Sequence, residues 1–178
     1  MVTTSAGCIA WLIAAARGAL LMLAAMAVGV AHAADSAPAE DATRSIEQVL
    51  RAYEDAWSQH DAKAIASFYY EPAMRVSPSG PTVRGTREVQ QAFFQGFVAK
   101  LVQDGYASSR WERLDVRLLD ADTAIASGVI VRERGDGRLF QRQSVTYALT
   151  RTQQGWKIFL SATHEPSTAL RFERPQRE

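Results

Sequence analysis

Few side chains in this sequence are suited to chemistry. Arg75 and Ser77 lie two residues apart in Met74-Arg75-Val76-Ser77, so an extended strand puts both on one face and Met74 and Val76 on the other. The planar fork of a guanidinium matches a carboxylate or phosphate, and on an apolar wall it needs something negative to meet it. Its alternative partners in the sequence are solvent, Glu71 and Asp55. Ser77 is no base by itself, because a hydroxyl takes up no proton at neutral pH without a base of its own. His60 and His164 are the histidines after His32. Neither has a ligand-type residue one helical turn away, so no metal site is expected.

Other chemistry is excluded by what the sequence lacks. Cys8 is the one cysteine and falls in a segment read below as removable, which leaves no disulfide framework or thiol nucleophile. There is no glycine-rich phosphate loop, and Gly135-Asp136-Gly137 reads as a hairpin turn. No nucleophile elbow occurs. Asp120 and Asp122 flank a turn as solvated acids, and Arg132, Arg134, Arg138 and Arg142 around one hairpin read as solvated edge protection. With Arg17 set aside, the 19 acids meet an equal number of bases. Zero net charge excludes a nucleic-acid module held by bulk electrostatics.

The elements that must position these residues follow from periodicity. Residues 34–42, rich in Ala, Asp, Ser, Pro and Glu, read as a flexible leader. Ser45 and Gln48 form a capping box, after which Ile46, Val49, Leu50, Tyr53, Ala56 and Trp57 recur at helical spacing. Gln59-His60-Asp61 breaks this helix, and Asp61 caps a short second one through Phe68, closed by Glu71-Pro72. A strand over Met74–Ser77, a Pro78–Pro81 turn and a returning Val83–Gly85 precede a third helix capped by Thr86. The stripe of this helix is Val89, Phe93, Phe94, Phe97 and Leu101, and Gly105 ends it. The period then changes to 2 over Trp111–Leu118, Thr123–Arg132, Leu139–Arg151 and Trp156–Thr163, with turn compositions between. Helices first and a meander after predict an α+β fold with helices on one face of a bent sheet. Trp111 and Trp156, in strands with little helix to cover their second face, predict a homodimer through the outer face of the sheet.

The N-terminus reads as an export signal. No acid precedes Asp35, Arg17 flanks the apolar run Gly18–Ala31, and Ala31-His32-Ala33 offers a small-x-small cleavage site. Residues 1–33 are thus expected to be removed, leaving no stable membrane span and a periplasmic or secreted protein. Residues 167–178 read as a surface tail.

The order of elements resembles the nuclear transport factor two-like superfamily, a cone-shaped roll, and within it the SnoaL-like and ketosteroid-isomerase-like group. The resemblance rests on residues 53–61, on Pro78–Gly85 leading into a helix with Phe93-Phe94, and on Gly155-Trp156-Lys157-Ile158, and spans Thr43–Pro166. It implies three N-terminal helices packed on a strongly bent, mostly antiparallel sheet. It also implies that the face bearing Arg75 and Ser77 points into the cone. Tyr53 stands eight residues before Asp61, as does the substrate-binding tyrosine of the isomerases. Ser77, however, occupies the position of their aspartate base, and the position of the late SnoaL-like histidine is Ala162, with His164 two residues on. The resemblance therefore implies a ligand pocket of Tyr53, Trp57, Arg75, Ser77, Phe94 and Phe97, with the same face equally readable as filled core. The function expected is non-catalytic binding of a small, partly apolar ligand, an anion among the candidates, without cofactor or metal. The alternative is a cofactor-free lyase or isomerase with an atypical acid/base set.

Overall fold

A computed structural model describes residues 39–173; the expected export signal lies outside them. Helix α1 covers residues 39–58 of those described. It is already running at Ser45, so the Ser45–Gln48 capping box is not used. Residues 39–42, expected in the leader, are helical, and Ala42 is buried. Tertiary packing of this extra turn outweighs the capping signal. The expected stripe is observed: Ile46, Leu50, Tyr53, Ala56 and Trp57 are all buried. His60, at φ 58°, turns the chain, and Asp61 caps α2 (Ala62–Ser67) by accepting from the Ala64 amide at 2.9 Å.

Strand β1 (Tyr69–Ser77) starts earlier than the sequence suggests and runs through Pro72. Proline lacks an amide, so it interrupts rather than ends the strand: pairing with β6 is irregular between Tyr69 and Met74. Strand β2 (Gly80–Arg84) returns antiparallel, and Thr86 caps α3 (Arg87–Gln103). The buried stripe of α3 is Gln90, Phe94, Val98 and Leu101. Val89, expected in it, is exposed, and Phe93 and Phe97 are half-buried, a rotation of one residue that only the docked helix reveals.

Strands β3 (Ser108–Leu118), β4 (Thr123–Glu133), β5 (Leu139–Thr152) and β6 (Gly155–His164) complete one six-stranded sheet of order β2-β1-β6-β5-β4-β3. Only β1 and β6 pair in parallel. The architecture is α+β, with helices against an open, mixed sheet. Irregular register after Trp111, Arg132 and Ala148 marks where extra residues enter the ladders and bend them. The core lies between helices and sheet, built from Leu50, Tyr53, Trp57, Ile65, Tyr147, Leu149 and Ile158 among others.

Both tryptophans expected on an uncovered outer face belong to the core side. Trp156 is buried, and Trp111 packs against the core and donates from Nε1 to the Leu50 carbonyl at 3.2 Å. Neither ring is an exposed outer patch for a dimer to bury. The expected tail also turns back onto the sheet. Residues Pro166–Thr168 form a 3-10 turn, the Leu170 amide donates to Ser127 Oγ, and the Arg113 guanidinium donates to the carbonyls of Ala169 and Leu170.

Gly128 on β4 lies under the Trp111 ring. A Cβ there would come within 2.6 Å of Trp111 Cζ3 and would also meet the Arg113 carbonyl oxygen. Overpacking of this kind costs about 1–3 kcal/mol. Gly128→Ala is expected to lower the stability read from urea unfolding by that amount, whereas Gly96→Ala, where nothing lies within 4 Å, should leave it undiminished.

Candidate functional site

Helix α1 supplies the floor of the site. Leu50, Tyr53, Glu54 and Trp57 fall at i, i+3, i+4 and i+7, so Glu54 shares the apolar stripe despite its charge. It is 3% exposed, while Asp55, one residue on, points to solvent. Strand β4 brings Ala126, Ile130 and Arg132 onto the facing side by alternation, and Arg132 is 5% exposed. Its guanidinium stands 5.1 Å from the Trp57 ring and 5.7 Å from that of Tyr106, and Nη1 donates to Gln141 Oε1 at 3.1 Å. Solvated edge protection is therefore the wrong description of Arg132, although it fits exposed Arg138, which pairs with Asp136.

Between these walls lies a cavity of about 40 Å³ whose lining includes Tyr53, Glu54, Trp57, Tyr69, Arg75, Arg132 and Tyr147, with Phe93, Phe94 and Phe97 of α3. It has room for two or three waters. The structure thus gathers five of the six residues anticipated from the sequence, Tyr53, Trp57, Arg75, Phe94 and Phe97. Ser77 is not among the lining residues; its hydroxyl donates to the Gly80 carbonyl at 3.4 Å in the β1–β2 turn. The strand carries Ser77 past the end of the cavity, although its side shares a face with Arg75. His164 is also elsewhere, on the outer face of the sheet between Thr146 and Thr168. Among the described residues, no three His, Cys, Asp or Glu side chains converge as a metal site would require.

Two polar features dominate the cavity. The Tyr53 and Tyr69 hydroxyls are hydrogen-bonded at 2.9 Å, and burial drives the Tyr53 phenol well above its ordinary pKa, with Tyr147 and Tyr69 adding to the shift. Glu54 has both carboxyl oxygens buried without a hydrogen-bond partner. Burial pushes it from 4.5 up to about 7, against the opposing charge of Arg132 and the nearby Ser109 hydroxyl. That hydroxyl is itself engaged with Tyr106 at 2.7 Å. Near neutral pH, Glu54 can therefore give or take a proton. At the mouth, Arg75 lies 5.3 Å from the Phe97 ring and forms no ion pair among the described residues. Glu71, its nearest candidate partner in sequence, is held by Arg87 at 2.8 Å.

Residues 40–166 match the family model described as NTF2-like protein (DUF6841). The chain belongs to this NTF2-like family. Among solved structures it is similar to an NTF2-like protein with a cystatin-like fold from Novosphingobium aromaticivorans, at 18% identity over 73% of this chain and 85% of that one, with a TM-score of 0.60. It is also similar to a provisionally named dehydratase of the NTF2-like family from Streptomyces avermitilis, at 17% identity, 71% and 96% coverage and a TM-score of 0.56. A third is a provisionally named calcium/calmodulin-dependent protein kinase II association domain from Xanthomonas campestris, at 18% identity, 70% and 89% coverage and a TM-score of 0.55. At these identities the likeness concerns the NTF2-like fold and not an activity. No curated protein matches the chain.

The Glu54 shift has a consequence for stability. Below pH 4.5 the carboxyl holds its proton in both the folded and unfolded chain, so it costs nothing. Between 4.5 and about 7 the unfolded chain releases the proton while the fold keeps it, so stability falls as pH rises. The loss is complete above the upper value and is on the order of 3 kcal/mol. In urea titrations from pH 4 to 8, the native protein is expected to lose stability relative to Glu54→Gln, which has no proton to lose. Parallel curves for the two proteins would contradict the burial of an ionisable Glu54.

Proposed function

We propose that the chain is exported, with residues 1–33 removed, and that its NTF2-like domain binds a small anion with a partly apolar body without transforming it. The observation that carries this reading is Arg75, a half-buried guanidinium at the cavity mouth with no carboxylate paired to it among the described residues. Around it Trp57, Phe93, Phe94 and Phe97 offer the apolar surface that pockets use, and the buried phenols and Glu54 supply a few placed polar groups. The cavity itself admits only water, so an aryl-sized ligand requires the half-buried Phe93 and Phe97, stacked at 5.6 Å, to swing outward. A homodimer is kept as the proposed oligomeric state on the family resemblance alone. By calorimetry, Arg75→Ala is expected to weaken binding of benzoate, a minimal aryl anion, by about 1.5–3 kcal/mol, the worth of a charge-assisted hydrogen bond. Arg138→Ala, on the exposed hairpin, should leave it unchanged. Equal small losses from both would replace the site by bulk charge.

A second reading rests on Glu54. An unpaired carboxyl poised near neutral pH in an apolar cavity is the equipment of a general acid/base, which here would act as a cofactor-free isomerase or lyase. On this reading the protein incorporates solvent deuterium beside the carbonyl of an enolisable ketone such as cyclohexanone, with a pH dependence centred near 7. Glu54→Gln then abolishes the exchange. Exchange that survives Glu54→Gln removes this reading.

A further inference from the structure

The β1–β2 ladder pairs Ala73 with Arg84 and Arg75 with Thr82. Arg75 and Arg84 therefore project from the same face as diagonal neighbours, a separation of about 7–8 Å that two long side chains readily close. This is the helix-facing side of the strands: Ala73 is buried, and Arg75 is paired on its other edge with Ser161, also buried. Both guanidiniums lie against the same ring, Arg84 at 3.5 Å and Arg75 at 5.8 Å from the centre of Phe93. Two cations thus share one aromatic platform. Burial and the charge of Arg75 both lower the pKa of Arg84.

Nothing among the described residues neutralises the pair. Neither arginine enters an ion pair; Glu71 is committed to Arg87, both through its guanidinium and through its backbone amide. Like charges on diagonal positions repel, and such a pair is stabilised when an anion spans both. Beside it lies a small second cavity of about 10 Å³ whose wall includes Arg75, Arg84, Tyr69, Ser161 and Gln90. Gln90 is 1% exposed; its Nε2 donates to the Tyr70 carbonyl, while its Oε1 is buried without a partner. The site therefore offers two forked donors and one orphaned acceptor. That combination suits a phosphate monoester near its second ionisation around pH 6, whose dianion meets both guanidiniums and whose monoanion keeps an O–H to donate to Gln90 Oε1.

We propose that Arg75 and Arg84 form a two-guanidinium clamp at the rim of the cone that holds the phosphate head group of a phosphate monoester, in preference to a simple carboxylate. The clamp deepens the ligand-binding reading above, which it needs for the apolar body of the ligand. The test is calorimetry on the full chain with phenyl phosphate and benzoate, which share one ring and differ in head group, and with inorganic phosphate as the head group alone. Phenyl phosphate is expected to bind at least tenfold more tightly than benzoate, with inorganic phosphate weaker than phenyl phosphate but competing with it. In Arg84→Ala the preference should collapse to within about twofold while benzoate binding persists; Arg84→Gln, closer in shape, repeats the measurement should the alanine variant not fold. Equal affinity for the two aryl anions, both still dependent on Arg75, overturns the clamp and leaves the ligand-binding reading standing. No binding of either anion overturns both. A preference that survives loss of the Arg84 charge overturns the assignment to Arg84.

Discussion

The tertiary structure converges on the ring of Tyr53. From one position on α1 it meets Trp57 at 6.2 Å, Phe68 at 5.6 Å, Tyr69 at 5.9 Å and Tyr147 at 5.8 Å, in each case edge to face or nearly so. Those partners belong to α1, the end of α2, β1 and β5, so three consecutive elements and one distant strand meet on a single ring. Edge-to-face pairs contribute about 0.5–1.5 kcal/mol each beyond the area they bury. More important than the sum is the geometry: four rings at fixed angles permit one arrangement of helix against sheet. The hydroxyl would be stranded in such a cluster, and its bond to Tyr69 at 2.9 Å resolves that with another phenol. Phenols buried to this degree stay protonated, which keeps charge out of the centre of the core.

Charge is admitted only at the edge of this cluster, and it is admitted incompletely satisfied. Arg132 leaves its Nε, and Glu54 both oxygens, without hydrogen-bond partners. A structure selected only for stability would place apolar groups at these positions, since a half-satisfied buried polar group costs more than a hydrocarbon of the same shape. Their presence around a water-sized cavity, with unpaired Arg75 above, marks where stability has been given up for something else. The floor and the mouth of the cone are chemically distinct: a carboxyl poised near neutrality below, cations on an aromatic platform above.

The other face of the sheet carries a hydrogen-bond chain. Ser127, Thr146, His164 and Thr168 are linked in sequence at 2.8, 2.9 and 2.8 Å, and the Leu170 amide closes on Ser127 at 3.1 Å. The chain fastens the segment after β6 across β4 and β5, so His164 serves to hold the tail. A histidine with both ring nitrogens engaged in this way is fixed in orientation, and it faces away from the cavity.

Periodicity was enough to establish the class of fold, three helices before a meander, because the 3.6-residue and 2-residue patterns are local and cover long segments. The capping of α2 and α3 by Asp61 and Thr86 was legible for the same reason: a cap is decided within four residues. Part of the cavity lining could be read from the stripes of α1 and α3 and the alternation around Arg75: Tyr53, Trp57, Phe94, Phe97 and Arg75 itself. What the sequence left undecided depends on who covers whom. Glu54 and Arg132 sit at positions that their own spacing marks as inward, but charge argues for solvent until α1 and β4 are seen to face each other. Ser77 shares a face with Arg75, yet strand length carries it beyond the cavity. The pairing of Arg75 with Arg84 exists only through the β1–β2 register, and the freedom of Arg75 only because Arg87, at the start of α3, takes Glu71 first. Spacing along the chain fixes which face a residue shares; only the assembled sheet and helices decide what stands opposite, and that covering decides both a charge's partner and the burial that shifts its pKa.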